Sequence, residues 1–479
     1  MLQSSSQQEN HNSIALDIEP EKSLVSNVPA WHKNANIYEV HIRHYSPEGT
    51  FKAFQEHLPR LKDMGVNILW LMPIHPVSKL KSKGTMGSPY AVGDYYGINP
   101  DMGTMDDFKN LLREIHRLEM HCIIDWVPNH SGWDNPWIYQ HPEWYMKGPD
   151  GEITDPLNLH TGEPWGWVDV ADLNFDVPEM RQGMIDAMAF WIRDIGIDGF
   201  RVDVAHGVPL DFWKDCTDQL FLIKPIFMLA EAEEPALVND GYFVMDYAWS
   251  MHHLYNDIAA THGVNTGDVT KLQQGNLVVG HEQDGPKKYA WDIDGILHEI
   301  GPRYQKGIKM NFTSNHDENS WAGSEFRRMG QGHKAFAVLS ATKEGMPLIY
   351  SGQEAAMDKQ LAFFDKDVIP WGDFAYHDFY KTILGLKKMN QALWNGVYGG
   401  QLRKVDTTNN QDLYAFHREK DGDQIVVAIN FSNRTQDTFM TLPDSESYYK
   451  EVFTEEIRIS EMEFLISLEP WTYRVYSNV

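Results

Sequence analysis

The run "GFRVDVAH", residues 199–206, decides how the rest of the chain is read. It has the apolar continuity of a strand covered on both faces, yet Arg201 and Asp203 interrupt it. Side chains two apart in a strand share a face, so this guanidinium and this carboxylate stand side by side. A buried charge is costly unless it is paired. The stretch is therefore either a structural ion pair or the floor of a site.

Working outward, similar apolar runs alternate with amphipathic ones. "IYEVHI" (37–42), "NILWLMPI" (67–74), "HCIIDWV" (121–127), "IDGFRVDV" (197–204), "PIFMLAE" (225–231), "YFVMDY" (242–247), "KMNFTSNHD" (309–317) and "MPLIYSG" (346–352) read as strands. Between them lie segments of helical period: 50–65 ending at Gly65, 104–119 opening on the capping pair Thr104 and Asp107, then 178–196, 209–222 and 376–394. A long, mostly helical insert separates the sixth and seventh strands. Continuous apolar strands alternating with helices mean parallel pairing with both faces covered. Eight such units predict an α/β fold, a (β/α)8 barrel, with a doubly wound open sheet as the alternative.

Two stretches break the rhythm. After the third strand comes a Pro-, Gly- and Trp-rich segment too long for an ordinary loop. Beyond residue 400, short runs such as "QIVVAINF" and "WTYRVYS" predict a small antiparallel β domain. The expected layout is a disordered tail over 1–30, a barrel over 31–130 and 175–396, an inserted domain over 131–174, and a C-terminal β-sandwich over 397–479.

Composition narrows the function. A formal net charge of -27 argues against nucleic acid or an anionic membrane surface as a partner. The two cysteines, Cys122 and Cys216, make no disulfide framework and read as small buried hydrophobes. No 18-residue apolar run predicts a transmembrane helix. The polar, Ser- and Gln-rich start reads as a floppy terminus or a tether. It leaves the compartment open between an exported location (periplasmic, surface-tethered or secreted) and the cytoplasm.

In a barrel the site lies where the strands end. Strand three ends near Asp125, Asn129 and His130, strand four near Arg201, Asp203 and His206, strand five at Glu231, and strand seven at His316 and Asp317. A single strand-end Asp is ordinarily a turn or cap residue. Acids, histidines and one arginine in register on one face suit glycoside cleavage, with one carboxyl as nucleophile and one as general acid. Arg201 would keep Asp203 ionised, and burial near other carboxylates would raise Glu231. Glu233 and Glu234 are rivals for the acid, but only Glu231 directly ends the apolar strand.

These four motifs, in this order, resemble the α-amylase family of retaining glycoside hydrolases. "YEVHIRHYSPEGTF", "LPRLKDMGVNILWLMPI" and "GMPLIYSGQE" are similar to that family too, and the likeness spans roughly residues 37 to 475. The resemblance implies that Asp203 is the nucleophile, Glu231 the acid/base, and Asp317 the third acid, which binds sugar hydroxyls. It implies that Arg201 orients the nucleophile, that His130 and His316 bind the sugar on the non-reducing side, and that Tyr90 stacks under it. Asp125 matches a mainly structural acid. His206 and Gly207 stand where many α-amylases carry Lys-His, so specificity is expected to diverge there. "ADLNFD" (171–176) resembles a signature of oligosaccharide α-glucosidases among other subgroups. Asn129 falls at a calcium-ligand position. The chemistry requires no cofactor, and a structural calcium is left open.

The expected substrate is an α-1,4-linked glucan or maltooligosaccharide. The rivals are an exo-acting α-glucosidase or a transglycosylase on the same scaffold, a non-catalytic sugar-binding homologue, and a metal-dependent barrel hydrolase. The last would want a compact ligand set, and no HxH pair appears. Of Trp133, Trp137, Trp144, Trp165 and Trp167, one or two are expected to stack on sugar faces. Oligomeric state is not legible.

Overall fold

The computed structural model describes residues 27–158, 161–263, 286–442, 448–459 and 463–479, with the backbone of 272–274 and 277–279. The expected tail lies outside the described residues up to 26. From there the chain is tied down: the Asn27 carbonyl accepts the Ile226 N–H, and Trp31 stacks on His121.

Eight parallel strands close a barrel: β1 (Ile37–Val40), β2 (Ile68–Leu71), β3 (His121–Trp126), β4 (Gly199–Val202), β5 (Phe227–Ala230), β6 (Met245–Tyr247), β7 (Ile308–Asn311) and β8 (Met346–Tyr350). Each pairs with the next in sequence, and β8 returns to β1. Alternate side chains fill the interior, among them Ile37, Trp70, Ile123, Leu229, Tyr247 and Met310. Their neighbours Tyr38, Leu69, Ile124 and Phe200 pack outward in a second, larger apolar cluster. Burial on both faces explains the unbroken apolar runs. Gly199 opens β4 at φ +154°, where a Cβ would come within 1.9 Å of the Phe227 carbonyl oxygen. Side-chain-free backbone thus lets β4 lie close against β5.

The helices follow the sequence with two adjustments. The 50–65 segment divides into Phe51–Gln55 and Leu58–Met64. Pro59, lacking an N–H, is tolerated only in the first turn of the second piece. Thr104 and Asp107 form a reciprocal capping box. The insert between β6 and β7 is helical at Trp249–Thr261 and Asp292–Ile300. Much of the rest lies outside the described residues, although Leu272–Gln274 and Leu277–Val279 pair as a short antiparallel hairpin.

Between β3 and β4, His130–Gly132 pairs antiparallel with Val170–Asp172. After the barrel comes a six-stranded antiparallel sheet and a two-stranded one, Gln436–Met440 with Phe464–Leu468. Arg403–Val405 and Ile457–Ile459, the two strands not read from the sequence, are three-residue edges of the large sheet. Buried cations bind backbone where this sheet meets the barrel. Arg418 donates to the carbonyls of Gly400 (2.8 Å), Thr342 (2.8 Å) and Lys343 (2.9 Å). Lys387 donates to those of Gly345 (3.0 Å) and Leu393 (2.6 Å). Both cysteines are buried and free. No helix among the described residues is long and apolar enough to cross a membrane.

Candidate active site

Arg201 sits on β4 with no exposed surface and three carboxylates around it. Its Nη1 donates to Asp125 Oδ1 (2.8 Å) and Asp203 Oδ1 (2.9 Å), and its Nη2 forms an ion pair with Glu231 Oε1 (2.7 Å). Nε donates to the Tyr247 hydroxyl (3.1 Å). A planar fork of five N–H donors can serve spread acceptors at fixed angles, which a compact ammonium does less well. Arg201 and Asp203 share a face, as the two-residue spacing requires.

Just past β4 the chain turns sharply. Val204 adopts φ +44°, ψ +44°, and its N–H donates to Glu231 Oε2 (2.8 Å). A β-branched residue in the left-handed region is strained, and such strain persists only where surrounding contacts hold it. His206 follows in a short exposed turn, with Nδ1 3.4 Å from the Glu231 carbonyl oxygen.

The other half of the site hangs from β7. His316 Nδ1 lies 2.6 Å from Glu39 Oε1 on β1, and Nε2 lies 2.7 Å from the Tyr90 hydroxyl and 3.3 Å from Asp317 Oδ2. Burial pulls His316 down, but Asp317 and Glu39 outweigh it and push it up to about 9. Tyr90 also donates to Asp125 Oδ2 (3.0 Å), which accepts the Trp70 indole N–H as well (3.1 Å). Behind this loop Glu318 is paired with His252 (2.9 Å) and Arg328 (3.7 Å), which hold it ionised against burial. Arg328 also caps the Thr313 carbonyl (2.8 Å), so the strand end bearing His316 and Asp317 is pinned.

All the expected residues therefore gather at the C-terminal mouth. His130 is buried beside them, lowered to about 4 by that burial, with its ring 5.9 Å from Trp167. Glu233 is turned away, accepting Ser250 N–H and O–H and pairing with Lys309. Glu234 caps the helix at Pro235. Glu39, Trp70 and Tyr247 are the site residues that sequence reasoning missed. A signal existed for Glu39: an acid inside an apolar strand, like Arg201 in β4.

One expectation needs correction. Arg201 is shared three ways instead of being reserved for Asp203. Burial, together with the Glu231 charge, pushes Asp203 well above the ordinary aspartate range. Burial acts the same way on Glu231, but Arg201 and the Val204 amide outweigh it and leave Glu231 below its usual value. Asp203 and Glu231 thus share one guanidinium, and the Glu231 charge acts on Asp203. Burial likewise raises Asp125, to about 6, and Asp317.

Asn129 Oδ1 lies 3.3 Å from His130 Nδ1, and its carbonyl accepts the Leu173 N–H. Among the described residues no three His, Cys, Asp or Glu side chains cluster as a metal site.

Known proteins agree with this geometry. Residues 28–219 match the alpha amylase catalytic domain, and residues 405–463 the alpha amylase C-terminal all-beta domain. The chain is 25% identical over 476 residues to "Alpha-amylase 3" of Dictyoglomus thermophilum, covering 85% of this chain and 87% of that one. It is 34% identical over 423 residues to an "Alpha-1,4-glucan:maltose-1-phosphate maltosyltransferase" of Picrophilus torridus, covering 82% of this chain and 61% of that one. The solved maltogenic alpha-amylase AmyB from Thermotoga neapolitana superposes with a TM-score of 0.78 at 25% identity, covering 93% of this chain and 99% of that one. A closed barrel whose mouth collects carboxyls around one buried arginine, followed by an all-β unit, suits glycoside cleavage. The chain belongs to the α-amylase family of glycoside hydrolases.

Proposed function

We propose that this enzyme cleaves α-1,4-glucosidic bonds in starch, glycogen or maltooligosaccharides through a covalent intermediate on Asp203. The observation that carries the reading is the single guanidinium of Arg201 contacting both Asp203 and Glu231. In the first step the Glu231 carboxyl gives its proton to the glycosidic oxygen. The C1–O bond breaks, and an Asp203 oxygen bonds to C1. In the second step Glu231, now a carboxylate, takes a proton from water. The water oxygen bonds to C1, and the ester to Asp203 breaks. Asp317 and His316 bind hydroxyls of the reacting sugar, Tyr90 stacks beneath it, and His130 closes the adjoining edge.

The alternative is release of single glucose units or transfer to an acceptor other than water. The maltosyltransferase relative supports the latter. His206, exposed beside Glu231, would meet that acceptor. The test is product profiling on soluble starch and maltoheptaose, with and without inorganic phosphate. Maltose and longer α-anomeric sugars are expected. Glucose alone points to the exo-acting alternative, and a sugar phosphate overturns the hydrolytic reading. In Asp203→Asn, activity is expected to fall below about 10⁻³ of wild type, since the two-step route needs that oxygen.

A further inference from the structure

The tryptophans of the segment between β3 and β4 divide into two kinds. Trp144 is buried, stacked on His141 at 4.1 Å and edge-on to Trp137 at 5.1 Å. Trp137 lies against Tyr95 at 4.7 Å. Trp133 has the Lys81 ammonium 3.2 Å from its ring centroid, and its indole N–H is committed to the Val168 carbonyl. These three belong to the packing of the main core.

Trp165 and Trp167 do not. They stand outside the core cluster, partly exposed, with rings nearly parallel at 15° and centroids 5.9 Å apart. Trp167 meets His130 edge-on at 5.9 Å, and His130 is close enough to Glu231 to feel its charge. Trp167 therefore lies one ring away from a residue of the site, and Trp165 lies against Trp167. Its position is built into the backbone: Trp165 N–H donates to the Pro156 carbonyl (2.9 Å), and Gly166 N–H to Asp155 Oδ2 (2.8 Å). Asp169, two residues on, pairs with Lys83 (2.7 Å) and fastens the loop to the segment after β2. Aromatic planes held in advance lose little freedom on binding, and the apolar face of a pyranose covers them well.

We propose that Trp165 and Trp167 form a stacking platform for a glucose unit of the substrate outside the cleavage position, and so set the enzyme's preference for longer chains. This rests on the α-glucan reading above.

The test compares Trp165→Leu and Trp167→Leu, which remove the ring but keep bulk, with the two Trp→Phe variants, which keep a ring. Steady-state kinetics are measured on maltoheptaose. The Leu variants should raise KM about 10-fold with kcat within about twofold, and the Phe variants should stay within about threefold of wild type, as expected for losing or keeping one stacked ring. Wild-type KM in both Leu variants, or equal losses in Leu and Phe variants, overturns the platform. A wild-type enzyme that turns over no α-glucan sinks the functional reading itself, which is a separate outcome.

Discussion

The Val204 N–H donates to Glu231 Oε2 at 2.8 Å from a backbone held at φ +44°. The strain and the hydrogen bond belong together: the left-handed turn directs the amide at the carboxyl. Substitution should reveal this by inverting a familiar order. Alanine ordinarily outranks glycine, but at positive φ the Cβ clashes with the neighbouring carbonyl. Val204→Gly should therefore be more stable than Val204→Ala, by ~1 kcal/mol in denaturant unfolding. The reverse ranking would show that the turn is unstrained.

Arg201→Lys keeps the charge and loses the fork. An ammonium cannot reach Asp125, Asp203 and Glu231 together, so at least one buried carboxylate loses its partner. Arg201 acidifies each of the three, so their titrations should move upward. The acid limb of the kcat/KM profile should shift to higher pH, and activity at the optimum should drop about 10³-fold or more, in line with the several kcal/mol of a broken buried pair. An unmoved acid limb would mean that Arg201 only shapes the site.

Glu39 and His316 carry the third prediction. His316 is raised to about 9 by Asp317 and Glu39 against burial, with Arg201 opposing them. A histidine raised in the folded state adds stability that is fully present below its unfolded value of about 6.5 and is lost as pH climbs through the folded value. The loss between these two values should amount to no more than ~3 kcal/mol. Glu39→Gln removes one of the two anions, so the folded value falls and the decline with rising pH becomes shallower. Chemical unfolding at pH 6, 7.5 and 9 checks this. Parallel slopes for wild type and variant would refute it.

The barrel was legible because both faces of its strands are covered, which leaves unbroken apolar runs alternating with helices. Strand ends were less legible. The run to Asp317 stops pairing at Asn311, and the run to Val204 stops at Val202. Past those points the chain leaves the regular ladder, although its sequence continues without a break. The identities of the site residues could be read from strand-end position. Their protonation could not, because one arginine serves three acids drawn from three strands and no local pattern reports that sharing. Glu39 escaped notice because its partner His316 is 277 residues away. The core and platform tryptophans are equally invisible as a sequence, since only Lys81, His141 and Tyr95 in space tell them apart.

Arg418 changes what counts as the folding unit. It reaches from the C-terminal sheet to the carbonyls of Thr342, the last residue of the helix before β8, and Lys343, its C-cap. Removing that sheet would leave these acceptors unmet at the base of the last barrel strand, and β8 closes the ring onto β1. The catalytic half is thus not a self-sufficient module to which a β domain was appended. The two should melt as one cooperative body, and shortening this enzyme from its C-terminus would unfasten the barrel at its own seam.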